Sequence, residues 1–152
     1  MTNWRLCVMR MLCLTLVATL FVSCSDPLAV IPGGELSGQM QTPPLDWTDV
    51  PEVIQVETRP SDPYSINIWS VGIGRDLYIA TGADGTTWSE FIDTNSKVRA
   101  RIGSSLYELN ATSVNDPQER SVVVDAYLSK YKDLDSEDNW VETGLMFRLD
   151  RR

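Results

Sequence analysis

The chain has 152 residues, and 13 basic against 21 acidic side chains give it a formal net charge of −8, which excludes the basic footprint that nucleic-acid binding requires. It contains no histidine, which excludes Ser-His and Cys-His nucleophiles and His-ligated zinc and leaves any chemistry to carboxylates, Lys, Arg, Tyr, backbone groups or a bound cofactor. Its 3 cysteines are Cys7, Cys13 and Cys24, so the remainder has no disulfide and must be held by a single core, which a domain of this length can bury.

Residues 1–23 read as an export signal. Arg5 and Arg10 make a short cationic opening, 11–22 is apolar apart from Thr15 and Thr19, and the small Ser23 precedes Cys24, the order expected of a secretory leader. The apolar run is shorter than the roughly 20 residues of a comfortable spanning helix. Leu20-Phe21-Val22-Ser23-Cys24 resembles the lipobox of bacterial lipoproteins, with Phe21 where that family usually has Leu. The resemblance implies a diacylglyceryl group on the Cys24 thiol, cleavage before it, acylation of the new amine, and so a membrane anchor made of more than one chain. Ser25 rather than Asp follows, which by enteric sorting rules implies the outer membrane of the cell envelope, facing the periplasm. Residues 24–50 are rich in Pro, Gly, Ser, Thr and Gln and read as a tether and lead-in loop. Within it, Ile31-Pro32-Gly33-Gly34-Glu35-Leu36-Ser37-Gly38 is either a plain turn or a segment closing over one end of the domain. The domain proper spans 51–152.

From there short strand-like runs follow one another. Residues 53–58 are mainly β-formers. Residues 64–71 alternate, with Tyr64, Ile66 and Ile68 on one face and Asn67, Trp69 and Val71 on the other, before a turn at Gly72-Ile73-Gly74. A third run covers 77–81, and 88–92 reads as one or two helical turns. Residues 97–102 alternate again, Gly103-Ser104-Ser105 marks a hairpin, and 106–114 returns. The period then changes. Asp116 caps, Pro117 fits the first helical position, Glu119 completes a capping box, and Val123, Tyr127 and Tyr131 recur every fourth residue, predicting a helix over 116–132. Residues 133–138 have the acidity of a calcium loop without its glycine, and read as a solvated acidic loop. Residues 141–149 read as the last strand. Close-set strands with one late helix predict a mainly β fold, a small barrel with a helix on its side.

Several groups are candidates for a site, each with a plainer alternative. Arg59 and Ser61, in a polar loop between two strands, suit a phosphate, since a guanidinium forks onto its oxygens; alternatively Arg59 pairs with a carboxylate in a Pro-rich turn. The loop from Thr81 and Gly82 to Thr87 and Trp88 leads from a strand into a helix start, where free amides favour an anion; alternatively it is a simple turn. Arg99 and Arg101 share one strand face, with Asn67 or Trp69 near them, as an anion pocket or a solvated face. Trp69 and Trp88 suit stacking on a flat ring, or the core.

A resemblance covers residues 55–149. Glu57-Thr58-Arg59-Pro60, the stretch from Tyr64 to Trp69, the stretch from Leu77 to Gly82, and above all the run from Trp88 through Asn95-Ser96 to Ile102 resemble the flavin- and deazaflavin-binding split-barrel proteins, a superfamily with pyridoxamine-phosphate oxidases and nitroreductase-like members. The resemblance implies a six-stranded split barrel with one short helix and one longer helix in its C-terminal half, often dimeric, holding FMN or a deazaflavin. It implies that the loop with Arg59 and Ser61 and the loop with Thr81, Gly82, Thr87 and Trp88 hold the cofactor phosphate, with Arg99 second to them; Asn67 and Trp69, from the strand reading, complete the candidate cofactor-binding residues. The basic phosphate loop of deazaflavin relatives is replaced here by Ser61-Asp62-Pro63. Two readings therefore stand side by side: a redox barrel tethered to the envelope and dependent on its cofactor, and a cofactor-free envelope lipoprotein using the same barrel to bind a small molecule or a partner.

Overall fold

The structure is a computed structural model and describes residues 33–131 and 140–152. Residues 1–24, read from the sequence as an export signal ending at Cys24, and residues 133–138, read as an acidic loop, lie outside the described residues. The described elements run β1 (Gln39–Met40), β2 (Val53–Thr58), β3 (Tyr64–Ile73), β4 (Asp76–Ala80), α1 (Thr87–Thr94), β5 (Lys97–Ile102), β6 (Ser105–Ser113), α2 (Pro117–Lys130), α3 (Trp140–Thr143) and β7 (Met146–Arg151).

Six strands close into a barrel in the order β6-β5-β2-β3-β4-β7, with β7 returning to β6. Closure removes the free edges that an open sheet would present. Strand β6 is shared along its length. Its start pairs with β5 on one side and with β1, in parallel, on the other, through Gln39 opposite Ser105 and Met40 opposite Leu106; from Leu109 onward it pairs with β7 instead. Strand β1 therefore takes over the β6 edge where β7 runs out.

The two-residue period sorts side chains as the sequence predicts. Ile54, Val56, Leu77, Ile79, Val98, Ala100, Leu109, Phe147 and Leu149 fill the interior, joined by Trp88 and Ile92 from α1 and by Trp47 and Val50 from the lead-in loop. Each such aliphatic side chain contributes about 1.5–3 kcal/mol by leaving water. A second apolar layer lies outside β3, β4 and β7. There Val71, Tyr78, Ala80 and Met146 meet Val123, Tyr127 and Tyr131 of the α2 stripe and Val141 of α3. The Asp116 carboxylate accepts from the Glu119 amide at 2.8 Å, capping α2. The Glu119 carboxylate accepts from the Tyr78 hydroxyl and from Arg148, tying α2 to β4 and β7.

Two of the boundaries that differ from the sequence reading bear on packing. Gly72 and Ile73 stay in β3, and the chain turns at Gly74, whose φ of +55° is cheap only for glycine. Gly72 is needed for a different reason: a Cβ there would sit 1.8 Å from the Trp47 carbonyl oxygen, so only glycine lets the lead-in loop lie on the strand. The last strand begins at Met146 rather than Val141, because Val141 belongs to the single-turn helix α3 and is buried against α2.

Candidate functional site

The outer face of β5, β2 and β3 carries the charged candidates. Register places Arg99, Glu57 and Ser65 in one row across the three strands and Arg101, Gln55 and Asn67 in the next, and residues directly opposite share a face. Residues 33–41 lie over these rows as a strap. Gly33 and Ser65 exchange backbone hydrogen bonds of 2.7 and 2.9 Å, and the Leu36 amide donates to Glu57 at 2.6 Å. Glu57, which alternation turns outward, is consequently only 2% exposed. Arg99 forks onto its carboxylate at 2.8 and 2.7 Å and also reaches Glu35 at 3.2 Å. Arg101 donates to Gln55 and to the Ser37 carbonyl. This face is thus a covered, internally neutralised ladder, and the guanidinium of Arg99 is committed to it.

The loop candidates are committed in a similar way. Arg59 has a positive φ of 54°, pairs with Asp62 at 2.9 Å, donates to the Asp62 carbonyl and lies 4.2 Å over the centre of the Phe91 ring. Ser61 is exposed at the tip of that turn. Thr81 is buried, its amide donating to the Leu145 carbonyl at 2.9 Å. Gly82 accepts from the Gly85 amide, closing the loop on itself. The Thr86 amide donates to the Ser89 hydroxyl, and the Ser89 and Glu90 amides donate back to the Thr86 carbonyl, so the start of α1 is capped from within. Thr87 is exposed on the first turn, whereas Trp88 is core, edge-on to Phe147 at 5.7 Å.

Asn67 and Trp69 are the two candidates that meet in an open recess. With Val53, Ile68, Ala80 and Trp140 they line a cleft of about 310 Å³, at the small end of the range for ligand sites. Trp69 is 42% exposed and its neighbour across the strands, Val53, is 49% exposed. The indole is rigidly backed. Trp69 stacks on Tyr131 at 4.9 Å and 18°, and Tyr131 on Tyr127 at 5.6 Å and 24°. Trp140 stands 6.2 Å from Trp69.

Hydrogen bonds fix this backing. Tyr127 donates to the Trp69 carbonyl at 3.0 Å, and the Tyr131 hydroxyl accepts from the Ser70 amide at 3.0 Å. Lys130 donates to the carbonyls of Val50, Pro51 and Ser70 at 2.6, 3.0 and 2.9 Å. Burial pushes the Tyr131 phenol up to about 12 and Tyr127 higher still, so both stay neutral, and burial pulls Lys130 below its ordinary value. Trp140 and the two tyrosines were not among the sequence candidates. The four-residue spacing of Tyr127 and Tyr131 marked them as a helix stripe, but only the fold brings that stripe behind Trp69.

A flavin presents a flat ring system and, in FMN and FAD, phosphate. The cleft suits the first: Trp69 is 42% exposed, Val53 and Ala80 are apolar walls, and Asn67 can both donate and accept at a ring edge. The arginines picked from the sequence as phosphate ligands do not point into the cleft: Arg59 pairs with Asp62, Arg99 with Glu57, and Arg101 donates to Gln55.

No family model matches the chain, and no curated protein matches it. Solved structures do. The chain is similar to an F420-H2-dependent reductase, FDR-A, at 11% identity over 76% of this chain and 100% of that one, with a TM-score of 0.56. It is similar to the heme storage protein HutZ from Vibrio cholerae at 11% identity, covering 66% and 82% of the two chains, with a TM-score of 0.54. An FAD-binding protein from Mesorhizobium loti matches at 16% identity over 69% and 83%, with a TM-score of 0.51. At such identities the likeness is one of fold, and the fold is the split barrel that the resemblance implied.

Proposed function

We propose that this protein is a split-barrel binding protein for a flat conjugated heterocycle of the flavin or deazaflavin kind, held in the Trp69 cleft and tethered to the bacterial envelope through lipid on Cys24. The observation that carries this reading is the open, rigidly supported indole of Trp69 in a recess with Trp140 and Asn67. An exposed aromatic whose rear face is already stacked loses little freedom when a ring settles on its front. The neighbours in fold named for F420-H2, heme and FAD each take a conjugated ring system, which supports the same class here.

When bound, a flavin would supply the hydride or electron chemistry. The residues of this chain would orient it: Trp69 and Trp140 by stacking, Asn67 at the ring edge, and the Tyr131–Tyr127 pair by holding the indole in place. The test is a titration of the full chain in detergent with riboflavin, FMN, FAD and a deazaflavin, read by quenching of tryptophan and ligand fluorescence. Binding is expected for at least one ring compound, with Trp69→Ala weakening it about tenfold or more, the scale of a lost ring-stacking contact. If none of the four binds a folded sample, the reading fails.

One observation favours a second reading, a cofactor-free interaction module. The arginines at the sequence-picked sites are all paired internally, and Val53 and Trp69 form an exposed apolar spot that a partner protein, including a second copy of this chain, would cover. Sedimentation of the ligand-free chain as a dimer, with no ring binding, would favour it.

A further inference from the structure

We infer that the Trp69 cleft recognises the ring alone and is blind to phosphate, so that its ligand is an uncharged planar ring compound rather than a phosphorylated flavin or a dinucleotide. This rests on the proposed ring-binding role of the cleft and names the chemical class it takes.

Among the described residues, the inference follows from where each cation near the cleft spends its donors. Phosphate recognition needs guanidinium or ammonium groups, or free backbone amides, aimed at the ligand. Lys130 is the basic group built into the cleft's support, since its partners Val50, Pro51 and Ser70 flank the lining residues Val53 and Trp69. An ammonium has three hydrogens, and three backbone carbonyls lie within 3.0 Å of this one. Arg101 lies in the same cross-strand row as Asn67, but Gln55 stands between them and accepts from its Nε, while the Ser37 carbonyl accepts from one terminal nitrogen, which holds the guanidinium towards the strap. Arg99, one row further, is forked onto a buried carboxylate. Freeing it would strand the Glu57 charge under the strap, a cost that a surface phosphate contact does not repay.

Among the described residues the lining carries no charge: Val53, Ile68, Ala80, two tryptophans and one carboxamide. The protein as a whole is acidic, with a formal net charge of −8, so a phosphate approaches against the field. The volume of about 310 Å³ is sufficient for a ring.

The deciding measurement compares riboflavin with FMN, two ligands that share a ring and differ by one phosphate, on the full chain at low and high salt. Riboflavin is expected to bind at least as tightly as FMN, and added salt to leave riboflavin unchanged while narrowing any deficit of FMN by screening. Val53→Arg, which sets a free cation at the exposed rim of the cleft, is expected to shift the preference towards FMN by about tenfold, the scale of one charge-assisted hydrogen bond. FMN binding about tenfold tighter than riboflavin in the unaltered protein, and weakening with salt, would overturn phosphate blindness while leaving ring binding intact. Binding of neither would overturn both. A Val53→Arg variant that still binds riboflavin but gains nothing for FMN would overturn the missing cation as the cause.

Discussion

Glu57 shows how a single residue can contradict its strand pattern without breaking the fold. Its position on β2 turns it away from the barrel interior, where a carboxylate belongs in water, yet the strap covers it and Arg99 supplies a two-pronged partner. A buried ion pair is weak as net stabilisation and costly to break on one side only. Glu57→Gln is therefore expected to lower stability by about 2–4 kcal/mol in urea unfolding, with Arg99 partly relieved by its solvent-facing side. Removing both charges together, as Glu57→Gln with Arg99→Met, should cost less than the sum of the two single changes. Additive losses in that cycle would mean the fork contributes nothing beyond its separate parts. At the same scale, Trp69 and Trp88 illustrate what sequence alone cannot sort. Both were candidates for stacking on a ring, but one lies on an outward β3 position and the other on the inward face of α1, and only the first is open.

Among the elements, the alternating strands were legible because each buries one face on the same core. The hairpin from Lys97 to Ser113 and the capped helix α2 fall where the pattern placed them. The short helix α3 was not legible. A single turn has too few residues to show a period, and it forms because Val141 is buried beneath α2 while the chain squeezes past β4 at Gly144. A Cβ at Gly144 would lie 1.7 Å from the Thr81 carbonyl oxygen. Gly144→Ala is therefore expected to force α3 and β7 away from β4, with a loss of about 1–3 kcal/mol or more and a changed near-ultraviolet tryptophan signal from Trp140. An unaltered melting temperature would mean that the backbone there yields easily. Residues 31–38, whose sequence suits a turn or an end-closing segment, are described from Gly33 on as part of the strap. The strap instead runs along the side of the barrel, because its bonding partners are the outward edge of β6 and the Glu57 row.

For the molecule as a whole, a closed barrel and an outer helix must provide stability without any cystine after Cys24. Part of that stability should depend on alkaline pH. Burial raises the phenols of Tyr131, Tyr127 and Tyr78, with the Glu119 hydrogen bond adding to the effect at Tyr78. Their protonated forms are favoured by folding, so this contribution is whole below the ordinary tyrosine value near 10 and is lost as pH rises through the folded values. Lys130 runs the other way: its folded value is lowered, so the penalty on its charged form lifts as pH rises. With three phenols opposing one ammonium, the melting temperature is expected to fall between about pH 10 and 12, accompanied by tyrosinate absorbance. Tyr131→Phe should shrink that fall, and an unchanged pH profile in the variant would exclude Tyr131 as a contributor. At the same scale stands the proposed anchor. Cys24→Ser is expected to leave the chain unprocessed and without acyl mass in mass spectrometry of the membrane fraction. Identical masses, apart from the substitution itself, would remove the lipid anchor.

Composition and local pattern were sufficient to settle several properties of this chain. The lack of histidine bars whole classes of catalysis wherever residues end up, and a two-residue period commits each strand to one buried face and so to a mainly β fold. The quoted motifs pointed to the split barrel, which the solved structures share. Which polar groups remain available was decided only by tertiary structure, because pairing is a property of distance and not of type. Arg59, Arg99 and Arg101 read alike as candidate anion ligands, and each was spent on a partner 3, 42 or 46 positions away. The cleft likewise unites Val53, Trp69 and Trp140, which no local pattern connects, because barrel closure and the packing of α2 bring β2, β3 and α3 to one place.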